Sequence, residues 1–354
     1  MIQWLDDGDS SVQGNPSSVH AEGQRARSAV ERARRQIADA IGSALTEVVF
    51  TSGATEANNL ALRSLPHPVA TTAVEHPSVL GANVPLCTIP VDPAGRLPEP
   101  AALVQMALAA GARSLSVMFA NNETGTIHPI AAIAQAAAAE GLPMHCDATQ
   151  ALGRIPLDVG ALGPALISFS SHKIGGPKGA GALWANPDYT LAPIIRGGHQ
   201  ERGRRGGTEN VLAIVGFGAA AAAINPDAWA RVAALRDQLW EGILAIDPAA
   251  IVHGDPEARL PNTLNVRFPG VDGEGLLINL DLAGIAASAG SACSAGSLEP
   301  SHVILAMGVS DQEAREAVRF SLGPDTTGAE IEATLDTLRK LITRIRMPGW
   351  DTPT

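Results

Sequence analysis

A lysine placed just beyond an apolar run is the first position in this chain where covalent chemistry is possible. Ala165-Leu166-Ile167-Ser168-Phe169 reads as a buried strand, and Ser170-Ser171-His172-Lys173 follows it into the glycine-rich turn Ile174-Gly175-Gly176-Pro177-Lys178-Gly179. At the carboxyl end of such a strand Lys173 could form an imine with an aldehyde cofactor. Ser170 and His172 would donate to a phosphate or a phenolic oxygen. A surface patch of Ser, His and Lys before a turn fits the same residues equally well, and this segment alone leaves both readings open.

Three further strand ends carry polar residues. Asp147 follows Met144-His145-Cys146; a carboxylate there suits the ring nitrogen of a pyridine cofactor, which must stay protonated to act as an electron sink, although Asp147 would serve equally as a helix cap. His76 follows the strand Val69–Val74, and Asn121-Asn122-Glu123-Thr124-Gly125 follows Leu115–Phe119. A lone histidine is more often structural, yet at a strand end it could stack on an aromatic cofactor and shuttle a proton. Ligand sites in parallel α/β sheets lie at strand carboxyl ends, so the recurrence at His76, Asn122, Asp147 and Ser170 outweighs any single motif. Thr51-Ser52-Gly53-Ala54-Thr55-Glu56 adds a strand-to-helix junction whose backbone N–H groups and Thr55 hydroxyl could approach an anion; taken alone, it reads as an ordinary helix start.

Two candidates lie further on. Cys293 sits in Ser288-Ala289-Gly290-Ser291-Ala292-Cys293-Ser294-Ala295-Gly296-Ser297, a run too small to pack a core. A thiol on such a loop is a candidate nucleophile, or else an accidental exposed thiol; Cys87 and Cys146, beside and inside apolar strands, read as buried and inert. Arg319 alternates with apolar neighbours in Val318-Arg319-Phe320-Ser321-Leu322 and could clamp a carboxylate.

The elements that must position these groups are legible from periodicity. Arg25–Ile41 places Ala26, Val30, Ala33, Ile37 and Ile41 on one helical stripe that Gly42 stops. Strand-like segments at Val48–Phe50, Val69–Val74, Cys87–Val91, Leu115–Phe119, Met144–Cys146, Ala165–Phe169 and Gly181–Trp184 alternate with helices such as Pro129–Glu140, predicting an α/β domain with a largely parallel sheet. Beyond a long helix at Ala228–Ile246, a second unit is expected: a strand at Thr263–Phe268 and helices near Glu274–Leu282, Asp311–Val318 and Ala329–Ile345. With 354 residues, 45% of them apolar and 17% charged, the chain is a globular protein large enough for two domains. The net charge of -11 argues against general nucleic-acid binding, leaving Arg202-Gly203-Arg204-Arg205 to be explained otherwise. No membrane span or signal peptide is expected, and three scattered cysteines suit a reducing cytoplasm without a metal site.

Taken together, these residues resemble the cysteine desulfurases of the class V aminotransferase superfamily. The resemblance rests on Gly14-Asn15-Pro16-Ser17-Ser18-Val19-His20, Thr51–Asn58, Glu75-His76, Asn121–Gly125, Asp147–Gln150, Ser168–Lys173, Glu201–Asn210 and Ser288–Pro300, spanning nearly the whole chain. Ser-Ala-Cys before Ser297-Leu298-Glu299-Pro300-Ser301-His302 looks like the group with a long cysteine loop, and the Arg-x-Gly-His-His-Cys pattern of the sister group is absent.

The resemblance implies a pyridoxal 5'-phosphate (PLP) transferase of fold type I: a mainly parallel central sheet flanked by helices, with a smaller α+β domain. Its large domain would span 15–224, and 1–14 with 225–354 would form the small one. Lys173 would hold the cofactor aldehyde, His76 would stack on the ring, Asp147 would pair with the ring nitrogen and Gln150 with the phenolic oxygen. Ala54, Thr55, Ser170 and His172 would hold the phosphate, joined by Thr208 of the partner subunit in a homodimer. Asn122 and Arg319 would bind the carboxylate of L-cysteine, and Cys293 would attack its sulfur, take a persulfide and pass it to a sulfur acceptor or scaffold protein. Selenocysteine lyase, another class V enzyme, or a partner-dependent non-catalytic subunit are the alternatives. One departure stands out: Asp7–Gln13 replaces the Ala-Thr-Thr-Pro segment and helix that family members carry before Gly-Asn-Pro.

Overall fold

A computed structural model describes residues 14–290 and 299–346. Two compact units divide the chain. The first comprises Met1–Ile89, Glu99–Phe119 and Pro129–Asn225; the second comprises Pro90–Pro98, Ala120–His128 and Pro226–Thr354.

The first unit is built on a seven-stranded sheet. Its strands are β1 (Val48–Thr51), β2 (Val69–Thr72), β3 (Leu86–Ile89), β4 (Ser114–Met118), β5 (Met144–Asp147), β6 (Leu166–Ser170) and β7 (Gly181–Ala185), in the order β1-β7-β6-β5-β4-β2-β3. The pairs from β3 across to β6 are parallel, and β7 runs antiparallel to both β6 and β1. Every strand except edge strand β3 is buried along its full length, which explains why they read as continuous apolar runs rather than alternating ones. Cys146 is fully buried in β5, as its apolar context implies; Cys87 lies within β3 itself and is only half-buried.

Helix α1 (Ala21–Ile41) carries the expected buried stripe but starts four residues before the predicted Arg25. His20 caps it, its Nδ1 accepting from the Gly23 N–H at 3.3 Å, and Gly42 ends it at φ 70°. Helix α2 (Ala54–Ser64) packs on β6 and β7. Helix α7 (Val211–Ala222) lies against α1. Between them came α3 (Pro77–Leu80), α4 (Pro100–Ala109), α5 (Ile130–Ala139) and α6 (Val159–Leu162). The α1–α7 approach is close because Gly218 has no side chain: a Cβ there would sit 2.6 Å from the Ala33 Cα. Among the described residues no single helix is long and apolar enough to cross a membrane.

Edge strand β1 is closed by side chains. Arg34 of α1 and Glu201 form a buried bidentate pair (Nη2–Oε1 2.7 Å, Nη1–Oε2 2.8 Å). Arg34 Nη1 also donates to the Val48 carbonyl at 2.9 Å, and Glu201 Oε2 accepts the Phe50 N–H at 2.9 Å. Arg204 adds donations to the carbonyls of Thr46 and Val48. Backbone groups that would otherwise template another strand are thereby satisfied. To deliver Glu201, the chain holds Glu201 and Arg202 in left-handed backbone at φ 48° and 59°, which costs about 1–2 kcal/mol per residue.

The second unit packs α8 (Asp227–Ile246) and α12 (Gly328–Ile345) over an antiparallel sheet of β8 (Ile251–His253), β9 (Thr263–Arg267) and β10 (Ala317–Ser321), in the order β10-β9-β8. Its core includes Leu239, Leu264, Val266, Phe320 and Leu338. The unit also carries α9 (Gly273–Leu282), α10 (His302–Ala306) and α11 (Asp311–Ala314). The expected helix Asp311–Val318 is corrected here: α11 stops at Ala314, and Ala317 begins β10. Its capping box, Ser310 with Glu313, starts a helix convincingly. The alternation of Val318, Arg319 and Phe320 then pairs with β9 and overrides continuation.

Glu201→Ala is expected to lower stability by about 3–5 kcal/mol in urea denaturation, because it strands the Arg34 charge in a buried site and unpairs the Phe50 N–H. The double variant Arg34→Met/Glu201→Met should recover part of that loss. Equal losses in single and double variants would show that the buried charge is not the cause.

Candidate active site

Strand polarity gathers three of the predicted polar residues, His76, Asp147 and Ser170, along one edge of the first unit's sheet. β2, β4, β5 and β6 run in the same direction, so their carboxyl ends lie side by side. β7 returns antiparallel and brings β1 back parallel to β6, with Gly181 paired to Ser170 on one side and to Thr51 on the other. A Cβ at Gly181 would lie 2.6 Å from Gly53 backbone atoms, so the absence of a side chain lets the β1–α2 turn approach Ser170. No side chain caps α2 at Gly53, which leaves its first-turn N–H groups, beside the exposed Thr55, to an acceptor outside the helix.

β6 runs directly into a 3-10 turn, Ser171–Ile174, that carries Lys173 and is closed by Gly175 at φ 82°. Ser170 Oγ and His172 Nδ1 are 2.8 Å apart. Burial, with the charges of Lys173, Lys178 and Arg154, holds His172 below the usual histidine range, so its neutral form prevails at neutral pH. Arg154 secures this turn, and nothing in its sequence context marked it: Nη2 donates to the Lys173 carbonyl at 2.7 Å and Nη1 to the Gln150 carbonyl at 2.8 Å. Burial brings Arg154 down to about 10, which still leaves it charged at neutral pH.

Asp147, buried at the end of β5, is held through both oxygens. Oδ1 accepts the Thr149 N–H at 2.9 Å, and Oδ2 accepts Asn58 Nδ2 at 2.7 Å. The same Asn58 nitrogen donates to Ser78 Oγ at 2.9 Å, and Ser78 Oγ lies 2.8 Å from His76 Nδ1. His76 Nδ1 also accepts the Ser78 N–H at 3.1 Å as the N-cap of α3. Because Nδ1 is an acceptor in this network, neutral His76 carries its proton on Nε2. Asn58 and Ser78 thus connect two predicted site residues, although sequence reading singled out neither. Asn58 stood inside the quoted Thr51–Asn58 motif and Ser78 two residues beyond His76, and the only available signal was a polar residue beside a candidate strand end.

Beneath Asp147 lies a second polar row. His145, fully buried, reaches Ser116 Oγ with Nδ1 and Ser168 Oγ with Nε2, each at 2.9 Å, and burial lowers it to about 4. Glu75 is also fully buried; its Oε1 accepts from Thr72 Oγ1 and from the Met118 N–H, each at 2.8 Å. Burial, reinforced by the Asp147 charge, pushes its carboxyl up to about 8. Cys146 is held far above a reactive thiol by burial, Asp147 and Glu75.

The remaining candidates sit on other segments of the chain. Thr208 is exposed in the first unit, and the neighbouring arginines are engaged by their own chain, Arg205 pairing with Glu56 at 2.9 Å. Asn122 and Arg319 belong to the second unit, where Arg319 Nη1 donates to the Asn122 carbonyl at 2.8 Å. Cys293 and the atypical stretch Asp7–Gln13 fall outside the described residues.

PLP requires an anion cradle, a carboxylate for its ring nitrogen and an amine for its aldehyde. This edge supplies the uncapped start of α2 with Ser170, the held Asp147 carboxylate, and Lys173 on a braced turn. The residues fit the group.

Comparison with known proteins agrees with this chemistry. The aminotransferase class-V family model matches residues 4–334. A cysteine desulfurase of Gluconacetobacter diazotrophicus is 43% identical, over 96% of this chain and 89% of its own. The cysteine desulfurase NifS of Azotobacter vinelandii is 42% identical over 95% and 88%. The X-ray structure of a NifS-like protein from Rickettsia africae superposes with a TM-score of 0.87 at 33% identity, covering 97% of this chain and 94% of that one.

Glu75 has a pH signature. Its folded value, about 8, lies above its ordinary value of 4.5, so the fold binds a proton that the unfolded chain releases. The stability this group contributes is full below pH 4.5 and is lost as pH rises through 8. Glu75→Gln retains the acceptor and removes the titration. The unfolding free energy of the parent from urea titration should therefore fall relative to Glu75→Gln across that window, by up to about 1.4 kcal/mol per pH unit. A pH-independent difference would show that Glu75 stays ionised in the fold.

Proposed function

The chain belongs to the class-V aminotransferase family, and from that membership we propose that it is a PLP-dependent cysteine desulfurase, converting L-cysteine to L-alanine and a protein-bound persulfide. The observation that carries the reading is the common strand edge bearing Lys173, Asp147 and His76, with Asn58 and Ser78 joining the last two. The Ser-Ala-Cys segment at Cys293 turns the reading from amino-group transfer to sulfur abstraction, since an aminotransferase has no use for a loop thiol.

PLP, when bound, supplies an electron sink for the pair left at the substrate α-carbon. Asp147 keeps the ring nitrogen protonated, its position fixed by Asn58 and Thr149. Ala54, Thr55, Ser170 and His172 hold the phosphate, with Thr208 of a second copy completing the cradle of a homodimer. Gln150 donates to the phenolic oxygen, its backbone pinned by Arg154. Asn122 and Arg319 hold the cysteine carboxylate. Lys173 takes the proton from the substrate α-carbon, and His76, carrying its proton on Nε2, is the acid on the ring side. The Cys293 thiolate attacks the substrate sulfur; a sulfur–sulfur bond forms as the carbon–sulfur bond breaks, its electron pair staying with carbon, which takes up protons to become alanine. The persulfide then passes to an acceptor or scaffold protein for iron–sulfur cluster or thio-cofactor assembly, in the cytoplasm.

Purified holoprotein given L-cysteine and a reductant should release alanine and sulfide in equal amounts. Lys173→Ala should lower the rate by about 10²- to 10⁴-fold, and Cys293→Ser should abolish sulfide release while PLP absorbance is retained. Undiminished turnover in Cys293→Ser, or turnover of another amino acid in preference to cysteine, would refute the assignment.

A further inference from the structure

Glu75 sits fully buried one residue before His76, and the desulfurase chemistry gives it no role. The connection that contains both, from β2 to α3, is pinned from two sides. Toward β3 the backbone does this: the Ala73 N–H donates to the Ile89 carbonyl at 2.9 Å, one step past the last β2–β3 pair, Thr72 with Ile89. Toward β4 the backbone ladder stops earlier, at Thr71 opposite Ser116. Two residues further along β4 the Met118 N–H donates to Glu75 Oε1 at 2.8 Å, so a side-chain oxygen stands where a continuing ladder would offer a carbonyl. Thr72 Oγ1 donates to the same oxygen at 2.8 Å, whereas the Glu75 N–H reaches the Thr72 carbonyl only at 3.4 Å. The carboxyl therefore closes this turn more firmly than the turn's own backbone does.

The point reached on β4 is also the point that holds Asp147. Met118 is the register partner of Asp147 across β4 and β5, and the Phe119 N–H donates to the Asp147 carbonyl at 2.9 Å. His76 follows Glu75 directly and caps α3, from which Ser78 and Asn58 lead back to the Asp147 carboxylate. Two routes thus join His76 to Asp147, one through Ser78 and Asn58 and one through Glu75 and the end of β4. All of these residues belong to the first unit. Burial keeps the Glu75 carboxyl protonated at neutral pH, so a neutral amide of the same shape can take its place.

We propose that Glu75 is a positioning residue: its side chain extends the β2–β4 ladder and thereby fixes His76 relative to Asp147, and with it the way His76 meets the cofactor ring. This rests on the proposed place of His76 beside PLP. The test uses the visible circular dichroism of bound PLP, which reports how the ring sits among its protein neighbours, and steady-state kinetics with cysteine, both on holoprotein. In Glu75→Ala the visible band should lose amplitude and move toward the spectrum of His76→Ala. The same variant should lower kcat about tenfold and leave KM for cysteine within about twofold. Glu75→Gln, which keeps an acceptor at Oε1, should retain the parent spectrum and a kcat within about twofold of it. On a His76→Ala background, Glu75→Ala should change neither readout further, because a residue that acts through His76 has nothing left to position.

Ser114→Ala separates positioning from a general loosening of β4. It removes the bond from Ser114 Oγ to the Pro66 carbonyl, 2.6 Å long, at the opposite end of the same strand, and should leave spectrum and kcat as in the parent. If Glu75→Ala does not fold, Glu75→Asp, one methylene too short to span from the turn to Met118, decides by the same two readouts. An unchanged visible band in the folded variant overturns the proposal. So does an equal change with and without His76, or a Ser114→Ala spectrum that moves as far as that of Glu75→Ala. A spectral cycle that behaves as expected in a holoprotein unable to desulfurate cysteine overturns the desulfurase reading instead and leaves the positioning role standing.

Discussion

Everything at the candidate site depends on the direction of five strands. A parallel sheet needs crossover connections, and those connections return each strand to the same starting edge, so the opposite edge collects every strand's carboxyl end. β2, β4, β5 and β6 obey this directly. β1 joins them only because antiparallel β7 is inserted beside it, and that insertion works only with glycine at 181, where backbone meets backbone. The start of α2 and the turn bearing Lys173 are neighbours for that reason.

Burial on both faces gives this edge its second property. A sheet covered by helices has little water beneath its carboxyl ends, so any polar group there must find a protein partner. Asn58 meets that requirement by bonding Ser78 and Asp147, and His145 by bonding Ser116 and Ser168. The network fixes the Asp147 carboxylate and the His76 tautomer without either group having to reorganise. Such preorganisation is what a cofactor site requires.

The arginines show charge used for structure. Arg34 and Arg204 close the exposed edge of β1, Arg154 braces the Lys173 turn, and Arg205 pairs with Glu56 in the first turn of α2. The basic run at Arg202–Arg205 therefore has an internal use in an acidic protein. The left-handed backbone at Glu201 and Arg202 is the cost of delivering a carboxylate into that edge.

The sequence by itself determined the α/β class, the seven strands of the first unit to within a residue or two, and the polar residues at four strand ends, because fully buried strands leave unbroken apolar runs and strand ends interrupt them. The motif spacing also carried the family. Boundaries that depend on pairing partners were not legible: Ala317–Ser321 is a strand because β9 offers it a ladder, although the preceding capping box favours helix. Asn58, Ser78 and Arg154 escaped for a related reason. Each acts on residues distant in the chain, Asn58 on Asp147 and Arg154 on Lys173, and no local periodicity records a contact across strands. Residue types were chosen by the chemistry and so stand in the sequence; which of them touch was decided by the folded sheet, where packing brings distant side chains within hydrogen-bond reach.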